Sequence, residues 1–213
     1  MGQPVEIQAL WYNALKIFAE LLMMNGQRSD AVLVNNSAEK AKQHFTELFW
    51  NETGKCLYDL IDENESPDAS IRPNQLFALS LPFPLIEGEQ AAQVLETVTK
   101  YLYTPAGLRT LPTSDPRYVA QYGGDGLRRD SSYHQGTVWS WLLGAYIDAT
   151  MRVHHSAEEA RRIVNAFTYH LEEACVGSIS EIFDADPPHH PRGCVAQAWS
   201  VGELLRVLKE YHL

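Results

Sequence analysis

At 213 residues, with 45% hydrophobic and 21% charged side chains, the chain is long enough to bury a sizeable core and has the composition of a globular protein. Its formal net charge of −10 argues against nucleic acid and membrane as partners, because phosphate surfaces need clustered Lys and Arg, and favours a neutral or cationic ligand. No apolar run reaches the roughly 18 residues of a membrane span, no basic-then-apolar signal opens the chain, and Cys56, Cys175 and Cys194 carry neither disulfide nor zinc spacing, so the cytoplasm is the expected compartment.

Seven helical segments are predicted. The first covers 5–24, where Ile7, Leu10, Trp11, Ala14, Phe18 and Leu21 or Leu22 recur at helical spacing and Asn25-Gly26 supplies a stop. It begins so close to the first residue that the chain reads as opening partway through a larger architecture. A second helix, 37–50, buries Ala38, Ala41, Phe45 and Leu48, and apart from a candidate short strand around 55–61 no convincing period-2 stretch is found. The third helix starts at Pro73, favourable at a first helical position, and stops near Pro82; the fourth runs over 87–103. A Gly-, Pro- and Asp-rich connection at 106–135 follows, long enough to be functional, and holds Tyr118, Tyr122, Tyr133 and His134. Helix five is expected over 137–153. Helix six opens at the capping box Ser156-Ala157-Glu158-Glu159 and continues to 171, and helix seven covers 195–211. Short and long connections alternate, as in stacked helical hairpins whose long loops, about 51–72, 106–135 and 176–193, gather at one end. The expected fold class is all-α, a single partial domain over 1–213.

The loop before the last helix, Ser178-Ile179-Ser180-Glu181-Ile182-Phe183-Asp184, sets a carboxylate among apolar neighbours, with Gln197 and Trp199 close behind. A glycosidase needs a carboxylate to activate water, neutral groups to hold hydroxyls, and flat rings to stack on the sugar. Glu181 is therefore the leading catalytic candidate; its alternative reading is a surface residue in a turn. Asp184 and Asp186 read as turn formers. Arg72, Asn74 and Gln75 stand where a long loop enters a helix, and either clamp hydroxyls or cap the helix. Asp130, Tyr133, His134, Gln135 and Trp139 crowd one glycine-containing segment. Trp139 there divides evenly between ligand and core, whereas Trp11, beside Tyr12, is read first as core. The adjacent pairs His154-His155 and His189-His190 lack ligand spacing, so no metal and no cofactor are expected.

Several segments together resemble one family, the glucosidase domain of glycogen debranching enzymes (amylo-alpha-1,6-glucosidase): Pro4-Val5-Glu6-Ile7-Gln8-Ala9-Leu10-Trp11-Tyr12-Asn13-Ala14-Leu15, residues 70–75, Thr104-Pro105 with 107–111, residues 133–139, residues 178–184, and Arg192-Gly193-Cys194 with 197–201. The resemblance implies about seven of the twelve helices of an (alpha/alpha)6 six-hairpin toroid. It also implies inverting hydrolysis of alpha-1,6-linked glucose on a branched alpha-glucan, with Glu181 as base. Trp11, Tyr12, Arg72, Asn74, Gln75, Asp130, Tyr133, His134, Gln135, Trp139, Gln197 and Trp199 would then hold or shape the glucose pocket. The general acid is expected upstream of Gly2; Glu6, Asp68 and Asp130 are the stand-ins within the chain. Turnover by the 213 residues alone is expected to be weak, and uncovered helix faces predict self-association or a partner polypeptide carrying the earlier helices. The alternatives are a glycan-binding remnant without chemistry, a trehalase-like or glucoamylase-like six-hairpin enzyme, and a helical-repeat scaffold, for which no repeat period is found.

Overall fold

The computed structural model describes residues 2–213 and divides into two compact units, one comprising residues 2–69 and 74–94, the other Ser70–Pro73 and Leu95–Leu213. It is helix-rich, with eight α-helices among the described residues. No helix there is long and apolar enough to cross a membrane.

The first unit is built on a helical hairpin, α1 (Val5–Met24) and α2 (Arg28–Phe49). Helix α1 has the predicted bounds: Glu6 favours its first turn, and the Asn25 and Gly26 N–H groups close it on the Leu21 and Met23 carbonyls. Helix α2 starts earlier than expected, at Arg28. The stretch Val32-Leu33-Val34-Asn35-Asn36 has poor helix propensity, but packing overrides it. Ala31, Ala38 and Phe45, seven residues apart, are buried with Phe49, and the two alanines let the helices approach closely. Lys16 ties the pair by bonding Asn35 and Glu39. Short strands follow as β2 (Trp50–Asn51), β3 (Cys56–Leu57), β4 (Leu60–Asp62) and β5 (Pro67–Asp68), with β4 between β5 and the N-terminal β1 (Gly2–Pro4). The third predicted helix is a 3₁₀ turn, Pro73–Leu76, running into α3 (Phe77–Ser80). Asn13 fixes the connection after it, exchanging two 2.9 Å hydrogen bonds with the Phe83 backbone.

One expectation fails on α1. Val5, Ala9, Tyr12 and Leu22 form its buried face, while the stripe read as core is outward: Trp11 is 57% exposed, Phe18 51% and Leu21 55%. The helix is apolar on two sides, and one side is uncovered.

The second unit takes the C-terminal half of α4 (Gly88–Tyr101) and adds β6 (Tyr103–Thr104), β7 (Gly107–Arg109), α5 (Gly126–Ser132), β8 (Val138–Trp139), α6 (Leu142–His154), α7 (Ala157–Phe167), β9 (Ile182–Phe183), β10 (Pro191–Arg192) and α8 (Ala198–Tyr211). Its strands make one antiparallel sheet in the order β10-β9-β8-β7-β6. The all-α expectation is corrected here, since sheets accompany the helices. Strands of two or three residues are too short to show alternation in sequence. Helix five accordingly begins at Leu142, because Val138 and Trp139 pair in the sheet. The predicted cap of α7 is present, with the Glu159 N–H donating to Ser156 Oγ at 3.2 Å, but the helix ends at Phe167 and tightens to a 3₁₀ turn, Thr168–Glu172. Arg206 locks α8 to α6 through Asp148 at 2.7 Å, and Leu108, Val138, Ile147, Ile179, Ile182 and Phe183 form a core no more than 2% exposed.

Candidate active site

Glu181 immediately precedes β9, and the sheet fixes its surroundings. In register, Ile182 lies opposite Arg192 on β10 and opposite Trp139 on β8. The next rung therefore brings Glu181 to Gly193-Cys194: the Glu181 N–H donates to the Cys194 carbonyl at 2.8 Å, and the Cys194 N–H returns a 2.8 Å bond to Glu181 Oε2. The hairpin is pinned by Asp184, which is 2% exposed. Its carboxylate accepts Arg192 Nη2 at 2.8 Å, Arg192 Nε at 3.1 Å and the Tyr122 N–H at 2.9 Å.

Two further supports converge on the loop. The fully buried His170 packs edge-on against Phe183, and its Nε2 accepts the Ser180 N–H at 3.1 Å, which assigns the ring proton to Nδ1, facing Glu173. On the β8 side the Tyr133 hydroxyl donates to Glu181 Oε1. Rings of Tyr122, His134 and Trp139 surround Tyr133 at centroid distances of 5.7, 4.9 and 4.8 Å. His134 also stacks on Trp139, and burial together with the nearby Arg72 charge lowers its pKa, so the imidazole is neutral near pH 7. Arg72 Nη1 donates to the His134 carbonyl at 2.9 Å and to the Thr110 carbonyl at 3.2 Å, with Gln135 Oε1 at 3.4 Å from Nη2.

Six of the predicted residues, Glu181, Tyr133, His134, Gln135, Trp139 and Arg72, thus form one cluster in the second unit. Three others in that unit take different positions. Gln197 caps α8, its N–H on the Ile179 carbonyl at 2.8 Å; Trp199 is 54% exposed and stacks on Trp141 at 4.2 Å; Asp130 is exposed on α5. In the first unit, Asn74 Nδ2 donates to Asp59 Oδ1 at 3.0 Å. Gln75 and Tyr12 are packing residues where glucan contacts were expected: Gln75 is 1% exposed and accepts the Leu57 N–H, and Tyr12 is 4% exposed beneath Lys42. Trp139, at 7% exposed, is chiefly core, with its Nε1–H on the Tyr133 carbonyl. Of the three stand-in acids, Glu6 has one carboxylate oxygen buried without a partner, and burial raises its pKa.

The family model for amylo-alpha-1,6-glucosidase matches residues 1–206. The chain belongs to the amylo-alpha-1,6-glucosidase family. It is 32% identical over 93 residues to the glycogen debranching enzyme of Saccharomyces cerevisiae, which covers 41% of this chain and 6% of that protein. It is 34% identical over 89 residues to the mitochondrial alkaline/neutral invertase C of Arabidopsis thaliana, covering 40% of this chain and 13% of the invertase. Among solved structures, the neutral trehalase of Saccharomyces cerevisiae superposes with a TM-score of 0.71 at 16% identity, over 99% of this chain and 38% of the trehalase. A GH63 mannosylglycerate hydrolase of Thermus thermophilus gives 0.67 at 16% identity, over 97% and 45%. The chain therefore spans less than half the length of each of these proteins, and over that span it shares its fold with the trehalase and the mannosylglycerate hydrolase.

Within this glucosidase-family chain, sequence reasoning overlooked the groups that act through backbone. The Cys194 N–H and the His170 contact to Ser180 carry no side-chain motif. Gly193 did carry a signal, as the glycine of Arg192-Gly193-Cys194. It has φ of +67°, and a Cβ there would lie 2.5 Å from Glu181 Oε2. Gly193→Ala is expected to displace the carboxylate and to cost about 1–2 kcal/mol in backbone conformation. Thermal unfolding checks the second effect, and retention of wild-type stability and turnover would contradict both.

Proposed function

We propose that this chain carries the general base of an inverting glycosidase that removes alpha-1,6-linked glucose from a branched alpha-glucan in the cytoplasm. The observation that carries the reading is the Glu181 carboxylate, held by one donor on each oxygen, one of them the hydroxyl of Tyr133, whose ring packs against Tyr122, His134 and Trp139. Each oxygen keeps a lone pair, enough to orient water and take its proton. His134 and Gln135 supply hydroxyl partners, and Arg72 braces the segment that carries them. Inversion requires a second carboxyl about 6.5–9.5 Å from the first, and the proposal assigns that acid to helices outside residues 1–213. The test is glucose release from a glycogen limit dextrin by protein that includes those helices, with Glu181→Gln as control.

The exposed stripe of α1 supports this assignment, because a helix apolar on two faces is an interior helix. We propose that further helices of the same toroid cover Trp11, Phe18 and Leu21. The 213-residue chain alone is then expected to self-associate in sedimentation velocity as concentration rises, and Phe18→Glu to reduce that association. A monomer across the range would contradict it. A trehalase-like specificity is the second reading, favoured by the trehalase superposition; turnover of trehalose in preference to limit dextrin would establish it.

A further inference from the structure

We infer that Tyr133 is a positioning residue for the base and not a sugar contact: its hydroxyl, with the Cys194 N–H, clamps the Glu181 carboxylate in one orientation. The inference rests on the reading of Glu181 given above. Three observations carry it. The two donors approach different oxygens, Tyr133 on Oε1 and Cys194 on Oε2, so rotation of the carboxylate breaks both bonds at once. Tyr133 is itself fixed. Its ring is enclosed by Tyr122, His134 and Trp139, its carbonyl accepts the Trp139 indole, and Trp139 pairs with Ile182 on the strand that follows Glu181. The clamp and the base are thus referred to the same sheet. Finally, burial and the hydrogen bond to the Glu181 charge push the Tyr133 phenol above its ordinary range, so it stays protonated and remains a donor.

The titratable and charged groups near Glu181 include Tyr133, which bonds it, Tyr122 and His134 against the Tyr133 ring, and Cys194, whose backbone N–H it accepts, with the Arg72 charge behind His134. A phenol that donates to the ionised form stabilises it, so its loss must raise the Glu181 midpoint.

Tyr133→Phe keeps the ring and removes one oxygen. In the full 213-residue chain, a ¹³C NMR titration of the side-chain carboxyls, with Glu181 assigned by its absence in Glu181→Gln, is expected to show the Glu181 midpoint rising by about 1–2 units. Difluorotyrosine at position 133, a more acidic donor, is expected to lower it, which keeps the test open should the phenylalanine variant fold poorly. In turnover, kcat is expected to fall roughly 10- to 100-fold with KM little changed, and the acid limb to move up with the midpoint. An unmoved midpoint in both variants overturns the clamp, as does a rise in KM with an unmoved acid limb, which would make Tyr133 a sugar contact. Failure of the base reading is separate: Glu181→Gln would then turn over normally, while the NMR midpoints still decide the clamp.

Discussion

Glu181→Gln is expected to lower glucose release by roughly 100- to 10,000-fold, the usual contribution of a positioned acid or base. The substitution is close to isosteric. Its amide oxygen still accepts the Cys194 N–H, and the Tyr133 hydroxyl is free to turn and accept from the new amide N–H, so both supports of the loop survive. What disappears is the capacity to take a proton from water. KM and the melting temperature are expected to stay near wild type, and this split separates chemistry from packing. A variant that lost activity only by unfolding would not support a base.

The largest stability effect is expected at Asp184. Its carboxylate is almost fully buried and receives the Arg192 guanidinium and the Tyr122 N–H. Asp184→Ala strands those donors and leaves space behind. The Arg192 side chain is 43% exposed and can recover solvent, which holds the cost below that of a fully buried pair. A loss of roughly 2–4 kcal/mol is expected, seen as a melting temperature lower by about 5–10 °C. Asp184→Asn, which keeps a neutral acceptor, should fall between. Because the hairpin carries Glu181 at one end, activity should decline with it. An unchanged melting temperature for Asp184→Ala would show that the hairpin is held by its strand pairing alone.

Much of the helical framework is legible in the sequence, and the exceptions have physical causes. Helix α1 has its predicted bounds because twenty helix-compatible residues end in a turn pair. Helix α2 begins early because two buried alanines outweigh a poor local propensity. The five-stranded sheet went unseen because its strands hold two or three residues each, and their pairing is non-local. The site follows the same division. Glu181 and the crowded 133–139 segment stand out by residue type, and the structure brings them together. Asp184 reads locally as a turn former, and only the fold reveals it as a buried anion. Gln75 and Tyr12 have the side chains of a sugar site, yet burial assigns them to packing. The outward face of α1 reversed the reading of Trp11, since apolar spacing marks a face to be covered without saying by what.

The most direct test of Glu181 as base uses alpha-glucosyl fluoride, whose leaving group needs little help from an acid. Wild-type protein is expected to release beta-glucose, identified by its anomeric proton before mutarotation. Glu181→Ala is expected to lose that hydrolysis and, in azide, to form beta-glucosyl azide, because an anionic nucleophile attacks C1 with loss of fluoride and needs no base. Fluoride hydrolysis undiminished in Glu181→Ala, with no azide product, would contradict the assignment.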